Sequence, residues 1–62
     1  MNAEARKALA NLERSLNATI AAASTANNEV GYDDDGEMQE ILLYLDDAKV
    51  RLNKVQKKAE GE

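Results

Sequence analysis

Cysteine, histidine, proline, tryptophan and phenylalanine are all missing from the 62-residue chain, glycine occurs three times, and two tyrosines are the only aromatics. Without cysteine there is no disulfide and no thiol nucleophile. Without histidine there is no side chain whose ordinary pKa lies near neutrality, and the best borderline metal ligands are gone with it. Chemistry would rest on carboxylates, lysine, tyrosine or serine, and a chain this short offers no deep cleft in which to shift their pKa values. The expectation is a protein that is not an enzyme and carries neither cofactor nor metal. No stretch approaches the ~18 apolar residues of a membrane span, and residues 1–10 carry Glu4, Arg6 and Lys7 where a signal peptide would be apolar. The composition therefore predicts a cytoplasmic protein with no membrane partner.

The absence of proline and the scarcity of glycine leave little to interrupt helices except the middle of the chain. From Asn2, a candidate N-cap, to about residue 25 the chain is mostly Ala, Leu, Glu, Arg and Lys, all strong helix formers. Leu9, Leu12, Leu16 and Ile20 recur three or four apart and mark one face for burial, with Ala5 and Ala23 extending it. A second helix is predicted over about 35–59. Its stripe runs Met38, Ile41, Leu45, Ala48, Leu52, Val55, Ala59 in alternating steps of three and four, with Leu42 widening it, which is a heptad seam. Between the helices, residues 26–34 hold Asn27, Asn28 and Gly31, which tolerate left-handed backbone, and Asp33 and Asp34, which compete with helix by bonding their own backbone. Asp34 followed by Glu37 has the spacing of a capping box. The predicted fold is all-α: one domain, an antiparallel two-helix hairpin whose predicted core is Leu9, Leu12, Leu16, Ile20, Met38, Ile41, Leu42, Leu45, Leu52 and Val55.

A domain of about 60 residues hides only roughly 60% of the surface its unfolded chain exposes, and with neither disulfide nor metal the remaining remedy is association. A homo-oligomer, a dimer before larger forms, is expected to complete the core as a four-helix bundle or larger helical assembly. Leu43, Tyr44 and Val50 form a candidate partner surface, since Leu43 and Val50 stand seven apart on the side of the second helix away from the seam. The small residues Ala3, Ala10, Ala18, Ala21 and Ala22 would let a neighbouring helix approach the first. The acidic run Asp33-Asp34-Asp35-Gly36-Glu37 fails as an EF-hand: aligning Gly36 with the loop glycine puts Leu42 where the bidentate glutamate belongs.

Charge is polarised along the hairpin. The net charge is −4. Residues 25–37 hold Glu29, Asp33, Asp34, Asp35 and Glu37 and no base, whereas Lys49, Arg51, Lys54, Lys57 and Lys58 load the second half of the second helix. Two hairpins packed with turns at opposite ends would set each acidic turn beside the partner's lysines. On the first helix, Lys7, Asn11 and Arg14 share an outer face able to contact RNA phosphates or another anion, although that face has no aromatic for base stacking.

In length, helix count and heptad seams the chain resembles the Rop family of plasmid RNA-loop-binding proteins, whose short hairpins dimerise into antiparallel four-helix bundles. The resemblance implies RNA binding through polar and basic residues of the first helix, carried over by position to Lys7, Asn11 and Arg14. The leading reading of the sequence is a small non-enzymatic interaction protein of bacterial or phage type, an adaptor, inhibitor or accessory factor with a possible protein partner, working through surfaces of an oligomeric bundle. The alternatives are a Rop-like RNA-binding regulator and a protein that sequesters a small anionic ligand.

Overall fold

The computed structural model describes residues 2–31 and 36–61. Two helices, α1 (Ala3–Val30) and α2 (Glu37–Gly61), pack against each other as an all-α hairpin, and among the described residues there is no strand. The molecule measures 45 × 15 × 10 Å with a radius of gyration of 14.5 Å, against about 10.6 Å for a globular chain of this length. It is a rod, one helix pair thick.

The helix ends follow from local chemistry. The Asn2 side chain accepts a hydrogen bond from the Ala5 amide at 2.7 Å, satisfying one of the donors that a helix start leaves open. The first helix runs five residues further than its sequence predicts. Thr25 is held inside it by a bond from its hydroxyl to the Ala21 carbonyl, and Asn27 sits half-buried on the seam. Packing against α2 thus outweighs the weak helix propensity of this stretch. Gly31 stops the helix at φ 75°, a left-handed conformation that glycine adopts without steric penalty, and its amide bonds back to the Asn27 carbonyl. At the start of α2, Gly36 has φ 69° and its carbonyl accepts the Glu40 amide at 3.0 Å. Asp34, on which the predicted capping box rests, lies outside the described residues with the rest of 32–35, which include all three aspartates of the acidic run.

The half-buried positions give the packing register. In α1 they are Leu9, Leu16 and Ala23 (heptad d) with Ile20 and Asn27 (heptad a), and Ala5 one step outside; in α2 they are Met38, Leu45, Leu52 and Ala59 (d) with Leu42 and Gln56 (a), and Ala48 outside. This corrects the predicted core at three places. Leu12, Ile41 and Val55 are 52%, 44% and 43% exposed. The physical reason is that rows a and g flank row d symmetrically on a helix, so 41-48-55 and 42-49-56 are equally good heptad partners for 38-45-52-59. Apolarity points to the g row, whereas the hairpin closes on the a row. Only Leu52 (7%) and Ala59 (4%) count as buried among the described residues, so the hairpin core is a single line of side chains.

Candidate functional site

In an antiparallel helix pair, g positions of both helices lie along one side of the seam and e positions along the other. The e side here carries Ala3, Ala10, Asn17 and Ser24 from α1 and Gln39, Asp46, Asn53 and Glu60 from α2. It is a polar side. The g side carries Ala5, Leu12, Thr19 and Ala26 from α1 with Ile41, Ala48 and Val55 from α2. It is apolar from end to end except for one threonine, and more apolar than the a row the hairpin closes on, which includes Arg6, Glu13, Asn27, Lys49 and Gln56.

The sidedness has direct support at the open end of the hairpin, where Arg6, Leu9, Ala10, Glu13, Gln56, Ala59 and Glu60 line a groove of roughly 530 Å³. Ala10 and Glu60, e residues of the two helices, both line it. Across the seam the Gln56 amide donates to a Glu13 carboxylate oxygen at 2.6 Å, which also fixes relative height: Leu12 stands level with the turn of α2 that carries Val55. The sequence reading missed this pair because polar residues in a narrow seam look like surface. The step from Leu52 to Gln56 to Ala59 is an intact heptad alternation and was the available signal.

Other predicted site residues are placed as follows. Leu43 and Val50 stand on row b of α2, exposed and turned toward the e side; Tyr44 lies on row c, beside the g side, and is the most exposed of the large apolar residues among those described. The sequence grouped these three, but they occupy opposite flanks of α2. The alanines 3, 10, 18, 21 and 22 scatter over rows e, f, b and c and make no common face. Lys7, Asn11 and Arg14 do share one outward face of α1, all exposed, with the Arg14 guanidinium donating to the Asn11 side-chain oxygen. The groove at the open end sets one base, Arg6, against two acids, Glu13 and Glu60, a balance unsuited to an anion. On α2, Arg51 bridges to Asp47 at 2.9 Å, and that hydrogen bond and the carboxylate charge raise the guanidinium pKa above its ordinary value. Among the described residues no three acids gather as a metal set, and no helix is long and apolar enough to cross a membrane.

No family model, curated protein or solved structure matches the chain. The helical hairpin that the sequence predicts is present, while nothing in these comparisons places it with the Rop family.

Proposed function

We propose that the protein is a small non-enzymatic helical interaction protein, an adaptor, inhibitor or accessory factor, whose working form is an assembly of hairpins. One observation carries the reading. Two residues are buried among those described, while Leu12, Val30, Ile41, Leu43, Tyr44, Val50 and Val55 are all large, apolar and exposed. Fully burying one such side chain stabilises by about 1.5–3 kcal/mol. A surface with this much unused apolar area, on a fold with so little core, is built to be covered. The absence of cysteine and histidine supports a binding role over a catalytic one.

Sedimentation velocity over a wide concentration range, paired with thermal melting at each concentration, tests the proposal. The expected result is a species heavier than one chain, with a melting temperature that climbs with protein concentration as mass action requires. A single chain that stays folded, with a concentration-independent melt, refutes it. The RNA reading is tested alongside by titrating an RNA hairpin at rising salt, since phosphate contacts give steeply salt-dependent affinity.

A further inference from the structure

We infer that the partner on the g side is a second copy of this chain, stacked face to face with its turn at the opposite end, so that α2 packs antiparallel on the partner's α2. The inference rests on the self-assembly proposed above and assigns its surface and orientation.

Area comes first. A compact monomer of 6.8 kDa exposes about 3,950 Å², whereas this chain exposes 4880 Å². The excess of about 900 Å² is close to the ~800 Å² that each partner contributes to a stable interface of standard size. The g side is where apolar surface is concentrated along the whole rod, and the e side opposite it is polar. A second hairpin laid on the g side turns a single line of packed side chains into a four-helix core.

Symmetry then limits the arrangement. Two identical faces pair about a two-fold axis lying in the contact plane, either along the rod or across it. With the axis along the rod the turns coincide and α1 lies on the partner's α2. Glu29, at the turn end of row c in α1, then meets the partner's Glu37, at the turn end of row c in α2, like against like. With the axis across the rod the turns are opposed and each helix lies on its own copy. In α2 the central g residue, Ala48, then sits at the axis, and Val55 packs against the partner's Ile41. Row c, which flanks the g side, reads Glu37, Tyr44, Arg51, Lys58. Reversed about Ala48, it sets Glu37 beside the partner's Lys58 and Tyr44 beside the partner's Arg51, an ion pair and a cation over an aromatic ring. The row is complementary to its own reversal, so the small residue, the large apolar pair and the charges all agree on the opposed arrangement.

The experiment uses the intact chain and charge exchange. Val55→Lys alone and Ile41→Glu alone are each expected to weaken self-association by about a hundredfold or more, since each buries two unpaired charges per dimer. Mixing the two variants places the new lysine against the new glutamate at one contact and leaves wild-type Val55 and Ile41 at the other, so native mass spectrometry should show the heterodimer above either homodimer. A variant too unstable to fold alone still reports through this mixture. Leu43→Lys, on the far flank, is expected to leave the dissociation constant within about threefold. An unmodified chain that never associates overturns the assembly proposal itself. If it associates but Leu43→Lys disrupts the dimer and Val55→Lys does not, the surface assignment is wrong and assembly stands. If both single variants dissociate and the mixture forms no heterodimer, the opposed orientation is wrong.

Discussion

Replacing Leu52 by alanine tests whether the hairpin closes on rows a and d. Leu52 is the only large side chain among the described residues below one-tenth exposure, at 7%. Leucine-to-alanine changes in filled cores cost about 2–5 kcal/mol, the lower values where neighbours can relax into the gap. A seam between two helices is open along both edges and relaxes easily, so the expected cost is about 2–3 kcal/mol. A chain of 62 residues has a total stability on the order of 3–9 kcal/mol, so this one change removes a large part of it. At about 4–8 °C per kcal/mol for a domain of this size, melting followed by far-ultraviolet circular dichroism should fall by roughly 10–20 °C. The control is Val55→Ala, one turn further along α2 and 43% exposed. Measured at concentrations dilute enough to hold single chains, it should cost under about 1 kcal/mol, because nearly half of the valine surface is already wet. Equal losses from Leu52→Ala and Val55→Ala in the dilute regime would mean that the hairpin closes on the g row, and the sidedness argued above would fail.

Asn2→Ala removes the side-chain acceptor for the Ala5 amide and should cost about 1 kcal/mol, seen as faster amide exchange through the first turn of α1, whereas Asn2→Asp should retain protection. Gly36→Ala meets no atom within 4 Å at the new Cβ, so its penalty is the left-handed backbone alone, about 1–2 kcal/mol, measurable by urea denaturation. Gln56→Leu breaks the bond to Glu13 but leaves an exposed carboxylate that water can solvate, and it adds an apolar side chain to the seam. A gain on the order of 1 kcal/mol is expected, and a loss of that size would show that the polar pair stabilises the open end.

The sequence made the hairpin legible because α1 and α2 consist of strong helix formers with unbroken stripes, and two of the three glycines, Gly31 and Gly36, fall between them. Asn2 was readable as a cap for the same local reason. The end of α1 was not, since the asparagines of its last two turns favour caps and turns in isolation and become helical only by packing on α2. Nor was the choice between rows a and g in α2. Ile41 and Val55 are more apolar than Leu42 and Gln56 taken together, and periodicity alone is symmetric about row d. The competing stripe is the feature on which the proposed assembly rests: α2 carries a wider apolar face than its one neighbour in the hairpin covers. The outward placement of Leu43 and Val50 was legible because row b lies far from row d whichever flank closes.

Gly31 and Gly36 are the two positive-φ residues among those described, and they bracket the reversal of the chain. Left-handed backbone at both points is what prevents the helical pattern on either side from running through. Alanine at both would remove the two stops and favour a continuous rod of about 90 Å at 1.5 Å per residue. Such a rod still presents both stripes, but it can satisfy them only on other chains. The same contacts would then form between molecules instead of within one, giving swapped or open-ended assemblies. Two hydrogen atoms standing where methyl groups would be thus decide whether the chain finds its first partner in itself.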